Sequence, residues 1–281
     1  MKTLTAVCPG FGSKRLIAPQ IVPHFGPHTT FYDLFCFSCA ILFAKQPCRQ
    51  EVASEKNPDV VNLLRCLADP ALACQLWEWS RSMPLTESMF DESAIFLRLT
   101  CPPTTNVLRA CDFLLTSWQG PSGLAGTTAK PRFAKRNTAS GGSTAARWRS
   151  VAESIPAWHE RLRNVEFRNA DALELIGDVP DREGVVVYAD PPYLPDSRRG
   201  GTYKFDMTID QHAVLAAKLS DFRKTRVVVS LYETTQADVL YLHDTNWRKV
   251  RLDAPRKMGN TVGGESPPEQ SGEVVYVNDI E

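Results

Sequence analysis

Val185-Val186-Val187-Tyr188-Ala189-Asp190-Pro191-Pro192-Tyr193 is the stretch on which both fold and chemistry turn. Its first five residues are β-branched, aromatic or small and apolar, with no polar alternation. That is the pattern of a strand covered on both faces, as in a parallel sheet between two layers of helices. The run then stops at an acid followed by two prolines. Proline fixes φ and pushes the residue before it out of the helical region, so Asp190 to Pro192 leave the strand as a rigid, extended turn. In an open α/β sheet the ligand crevice lies beyond the carboxyl ends of the strands, which is where this turn projects.

The same rhythm extends to either side. Downstream, Thr208 with Gln211 three residues on forms a capping-box pattern, opening a helix that turns Leu215, Leu219 and Phe222 inward. Arg226 to Leu231 and Glu273 to Val277 read as further buried strands. Upstream, Thr29 to Phe35 and Glu51 to Ser54 have strand composition. Asn57 caps a helix with Pro58 at its first position, Asp59 in its first turn and Val60, Val61, Leu64 and Leu67 on one stripe. An amphipathic helix around Ile155, Trp158 and Leu162 precedes a strand from Val165 to Arg168. Between these parts, helical stretches near Trp77 and Ala94 give way to a Gly, Ser, Thr and Pro-rich segment from Gly120 to Ser143, which reads as loop. The prediction is a doubly wound, Rossmann-like α/β sheet formed by residues 1–67 and 165–281, interrupted by a mainly helical and loop insertion, residues 68–164.

The 281 residues carry 32 basic and 32 acidic side chains, so the molecule as a whole has no net field to draw in a polyanion. The charges are segregated, however. From Phe113 to Ala152 there is no acid, while Lys130, Arg132, Lys135, Arg136, Arg147 and Arg149 are basic. Taken alone, that segment is either a solvated loop or a surface for phosphates. The N-terminus has no secretory pattern, and the longest apolar run, Leu34 to Ala44, is too short for a bilayer, so a soluble, intracellular protein is expected. In that setting the eight cysteines read as small buried thiols rather than disulfides, Cys36 and Cys39 included, since no second pair completes a zinc site.

Asp190 heads a constellation suited to one reaction. An aryl amine is a poor nucleophile because its lone pair is delocalised into the ring. A carboxylate and a backbone carbonyl accepting hydrogen bonds from that amine favour a pyramidal nitrogen and localise the pair. Asp190 and the carbonyl of Pro191 can play those parts beside Pro192, with Tyr193 as a face on which a flipped base stacks.

The order of the pieces resembles the Dam-like, alpha-group DNA adenine methyltransferases of bacteria and phages. Gly10-Phe11-Gly12-Ser13-Lys14 is similar to the family's N-terminal glycine-glycine-lysine motif, and Tyr32 to Ala40 to its first cofactor loop. Glu55 to Asp59 stands at its acidic motif, Arg168 to Ala172 at its third cofactor motif, Asp190 to Tyr193 at its catalytic motif, and Ser230-Leu231-Tyr232 at its Ser-x-Tyr strand end. The resemblance implies a methyltransferase that uses S-adenosylmethionine and no metal on double-stranded DNA, in the cytoplasm on the nucleoid. It places Gly10, Phe11, Gly12, Lys14, Asp33, Phe35, Glu55, Asp171 and Asp190 at the cofactor, with Asp33 at its methionine end, Glu55 on its ribose and Asp171 near its adenine. It makes the insertion a target-recognition domain, where Trp118, Gln119, Lys130, Arg132, Lys135, Arg136, Arg147 and Arg149 meet DNA, Gln119 or Asn137 reaching a base edge. The nearest alternatives are transfer to cytosine N4 and a catalytically silent DNA-binding relative. The chain departs from the family at Phe37, where a glycine is usual, and at Ser13. Glycine in such loops commonly adopts positive φ, so Phe37 is expected to compromise the cofactor site and Phe37→Gly to tighten binding.

Overall fold

Successive residues of the Val185–Ala189 strand feed two different cores. Val186 and Tyr188 join one apolar cluster with Phe31, Ala53, Val228 and Val275. Val185, Val187 and Ala189 join another with Tyr32, Val52, Val227 and Val274. The period of two along each strand thus places apolar side chains on both faces of one sheet. The structure, a computed structural model, describes residues 4–10, 12–100, 105–120, 127–128, 130–134, 143–194, 203–243, 246–253 and 272–280.

Among the described residues the strands are β1 (Thr30–Asp33), β2 (Gln50–Ser54), β3 (Val165–Arg168), β4 (Val185–Ala189), β5 (Arg226–Tyr232), β6 (Trp247–Arg251) and β7 (Glu273–Asn278). They form one sheet in the order β3-β2-β1-β4-β5-β7-β6. The first five strands are mutually parallel, and β7 runs antiparallel between β5 and β6. The chain leaves β1 toward β2 on one side and β4 toward β5 on the other, so a topological switch opens between β1 and β4.

The helices are α1 (Ala18–Ile21), α2 (Ala40–Ala44), α3 (Pro58–Ala68), α4 (Pro70–Ser82), α5 (Glu87–Leu99), α6 (Val107–Gln119), α7 (Thr144–Ala152), α8 (Ile155–Leu162), α9 (Ala172–Leu175), α10 (Ile209–Ser220) and α11 (Thr235–Tyr241). Asn57 caps α3 by accepting from the Asp59 amide at 3.1 Å, and Thr208 with Gln211 completes a capping box on α10. The first cluster is covered by α1, α3, α8 and the insertion helices, whose Leu76, Leu114, Leu115, Trp148 and Val151 belong to it. Leu175 of α9, Leu215 and Leu219 of α10 and Tyr241 of α11 close the second.

The expected strands and the α3, α8 and α10 helices form where the sequence places them. The structure differs in several places. β1 ends at Asp33 rather than Phe35, because Leu34 and Phe35 enter the turn that closes over the sheet edge, where the Leu34 amide donates to Tyr188 at 3.0 Å. α6 lies where no element was expected, capped by Asn106, which also exchanges two hydrogen bonds with Asn62 of α3 at 2.7 and 2.9 Å. β6 and α11 were likewise not anticipated. The seven described cysteines are free thiols, and Cys36 and Cys39 are buried. No described group of ligand side chains could hold a metal, and no described helix is long and apolar enough to cross a membrane.

Candidate active site

β4 delivers Asp190 to the carboxyl edge of the sheet, and three other elements meet it there. Lys14, in the first helical turn after Gly12, places its ammonium 2.8 Å from Asp190 Oδ1. Ser230, near the end of β5, donates to the same oxygen at 2.9 Å and pairs with the Tyr188 hydroxyl at 2.7 Å. Both side-chain donors converge on Oδ1, and no described side chain contacts Oδ2. Burial pushes the Asp190 carboxyl above its ordinary range and Glu273 adds to that, while Lys14 pulls it back. Lys14 is 3 % exposed. Burial works against its charge, yet Asp190 and Glu273 outweigh it and hold the ammonium above the usual lysine range.

Tyr193 is placed differently from the expectation. Its ring is 1 % exposed and stacked on Tyr232 at 4.0 Å between centroids, while Gly12 packs so close that a Cβ there would lie 2.9 Å from the ring. Its hydroxyl accepts from Lys14 at 2.7 Å and donates to Glu273 at 2.5 Å. In this arrangement the open stacking face expected of Tyr193 is not presented. Gly12 is required twice, by its φ of 77° and by this close approach.

A cleft of about 1060 Å³, counting its mouth, opens from Asp190 across the switch point. Gly12, Lys14, Phe35, Glu55, Asp171, Asp190, Pro191, Pro192 and Tyr193 line it, which brings most of the expected cofactor and catalytic residues together. Glu55 accepts from the Asn57 amide at 2.8 Å, and its burial raises the carboxyl to about 7. Asp171 caps α9 and pairs with Lys56 at 2.7 Å; against the upward pull of burial, Lys56 holds it below the usual carboxylate range. Asp33 is 2 % exposed, beneath the cleft rather than on its wall, and burial raises it to about 8 despite the Phe35 amide on its Oδ1. Gly10 is not on the wall either. It seats Phe37, whose ring would lie 2.5 Å from a Cβ at that position. Phe37 is not in the left-handed region; among described non-glycine residues only Cys39 is, with φ 55° at the start of α2. The expected backbone strain at Phe37 is therefore absent, and its ring forms part of the cleft wall. Phe11 lies outside the described residues.

A sequence model of the D12 class N6 adenine-specific DNA methyltransferases matches residues 11–253. The chain belongs to that family. It is accordingly a DNA methyltransferase acting on adenine N6, and the alternative of cytosine N4 transfer falls away. Such an enzyme needs a methyl donor, and its substrate is DNA. No curated protein matches the chain. Among solved structures, the rRNA methyltransferase aviRa from Streptomyces viridochromogenes is similar at 14% identity over 96% of this chain and 85% of that one, with a TM-score of 0.35. That likeness is too loose to bear on fold or substrate.

Trp118, expected at DNA, makes internal contacts in the methyltransferase's insertion, as do two neighbouring aromatic residues. The Trp118 indole donates to the Val7 carbonyl at 2.8 Å and carries the Arg147 guanidinium 5.1 Å over its ring. The Trp148 indole donates to Ser80 at 2.9 Å, and Phe133 meets Phe90 edge-on. These rings brace the fold. Gln119 is 1 % exposed, so its amide lies inside and not where a base edge could meet it. Lys130, Arg132 and Arg149 are exposed, whereas Lys135, Arg136 and Asn137 lie outside the described residues. Thr127 pairs with Tyr203 in an isolated antiparallel bridge, which sets the basic segment beside a residue of the cleft wall. Sequence reasoning missed Glu273 as a site residue, although an acid heading the apolar run Val274 to Val277 was a visible signal. It also missed the second wall formed by Tyr203, Phe205, Met207 and Gln211.

Proposed function

We propose that the methyl donor is S-adenosylmethionine and that the target adenine is turned out of duplex DNA to meet Asp190 and the Pro191 carbonyl. The observation that carries this reading is the placement of Asp190: a carboxylate on the lip of the cleft, with both of its side-chain donors on Oδ1. The other oxygen is then available to accept from the N6 amine, and the amine's lone pair is freed to form the new carbon–nitrogen bond. The amine gives up one proton as that bond forms, and Asp190 is the nearest base.

The donor set fits the cofactor. Glu55 offers two oxygens to a ribose diol, Asp171 lies at the adenine end, and Leu34, Phe35 and Phe37 give apolar walls. S-adenosylmethionine, when bound, supplies a methyl carbon on a positively charged sulfur that departs as a neutral thioether. Glu55 on the wall and Asp33 beneath it favour such a cation once ionised, in a site from which water is partly excluded. Lys14, fixed by its acceptors, holds Asp190 in place rather than meeting the base. In the insertion, residues 68–164, the exposed cations Lys130, Arg132 and Arg149 meet phosphates and serve target recognition, while Arg147 lies over the Trp118 ring.

Asp190→Ala tests the reading. Methyl transfer to duplex DNA from radiolabelled S-adenosylmethionine should disappear, while calorimetry shows cofactor affinity within about threefold of wild type, or 0.7 kcal/mol. Activity within about tenfold of wild type would remove Asp190 from this role.

A further inference from the structure

We propose that Glu273, at the head of β7, is a positioning residue for methyl transfer, which through the Tyr193 hydroxyl and the Lys14 ammonium sets the orientation and basicity of Asp190. The proposal rests on the reading of Asp190 as the acceptor of the target amine.

The geometry is a closed chain of contacts. Glu273 Oε1 accepts from the Tyr193 hydroxyl at 2.5 Å, and Oε2 lies 3.6 Å from the Lys14 ammonium. Lys14 has three protons, and three acceptors surround it: the Gly12 carbonyl at 3.2 Å, the Tyr193 hydroxyl at 2.7 Å and Asp190 Oδ1 at 2.8 Å. Lys14, Tyr193 and Glu273 are all at most 8 % exposed. Glu273 does not line the cleft, so it has no direct route to cofactor or base.

The topology explains why it is there. In β5, Tyr232 is the last residue, and it pairs with Glu273, the first residue of β7. A parallel strand would bring its amino end to the opposite edge of the sheet. Because β7 is antiparallel, its first side chain arrives at the catalytic edge.

Two carboxylates flank one buried ammonium, and this division of charge has a chemical consequence. If Lys14 were neutralised by Asp190 alone, the pair would tighten and Asp190 would become a weaker acceptor for the amine. Glu273 takes part of that charge and keeps Asp190 basic. The groups facing Asp190 are Lys14, Ser230, Tyr188, Tyr193, Tyr232, Glu273 and Asp33, and of these Glu273 raises its proton affinity from outside the cleft.

The experiment compares wild type with E273Q, E273D, Y193F and the E273Q/Y193F double variant, by single-turnover transfer from saturating S-adenosylmethionine to duplex DNA as a function of pH. E273Q is expected to lose about tenfold or more in rate while its cofactor Kd stays within about twofold. Its acid limb should move to lower pH, because removing a like charge lowers the pKa of Asp190. E273D keeps the charge and should keep the limb in place. The double variant should be no slower than the worse single one, since both break the same chain of contacts. A wild-type rate and pH profile in E273Q, multiplying losses in the double variant, or rate and cofactor affinity falling together with the limb unmoved would each overturn the proposal. Failure of the underlying reading shows separately, as an Asp190→Ala enzyme that remains active, and would take this proposal down with it.

Discussion

At Asp33 and Glu55 burial keeps two carboxyls partly protonated near neutral pH, at about 8 and about 7. A cationic cofactor arriving beside them favours the charged forms, so binding should release protons. The sign follows: affinity for S-adenosylmethionine should strengthen as pH rises toward about 8 and level off above it. Calorimetry at pH 6.5 in two buffers of different ionisation heat checks this; equal apparent enthalpies would mean that no proton moves. Phe37 is the other residue whose part is now clear. Its ring fills the space that Gly10 leaves open, so Phe37→Gly should cost about 1–3 kcal/mol in urea denaturation and leave cofactor binding equal or weaker. Tighter binding would restore the view that the ring intrudes. The motif around Gly10 to Lys14 was legible in the sequence; its partnership with Phe37, Tyr193 and Glu273 was not, because each contact joins residues far apart in the chain.

Among elements, the α3–α6 contact decides how the insertion is attached. Arg109 of α6 lies 2.7 Å from Asp59 of α3, a buried pair, and also donates to Thr100 and Leu97 in part-buried contacts. Breaking the pair from one side leaves Asp59 with only the longer contact to Lys204 at 3.5 Å, so Arg109→Ala should cost about 3 kcal/mol. A loss below about 1 kcal/mol in chemical denaturation would show that water reaches the pair. The caps at Asn57 and Thr208 and the apolar stripe of α3 could be read locally, since an N-cap and a helical period are properties of a few neighbouring residues. α6 could not be read in that way. Its Arg109, Ser117 and Gln119 are polar yet buried, and only the surrounding helices account for their burial.

On the scale of the whole molecule, charge balance leaves DNA affinity to local cations. Lys130 and Arg132 are exposed on the segment that Thr127 ties to the cleft wall. Replacing both with alanine should weaken binding to any duplex and lower the slope of log affinity against log salt by about 0.9 for each phosphate no longer neutralised. An unchanged slope would return this segment to the role of a solvated loop. The sequence by itself determined which strands are buried on both faces, because runs such as Val185 to Ala189 are apolar without alternation, and it determined the turn that follows β4, because Asp190-Pro191-Pro192 stiffens the backbone where a crevice must open. It also carried the order of motifs by which the family is known. The tertiary structure alone decided which aromatic residues make internal contacts, and that Tyr193 is enclosed rather than open. It alone brought Glu273 to the edge of the sheet where Asp190 lies, since the antiparallel direction of β7 follows from how the sheet closes and leaves no mark in the local sequence of the strand.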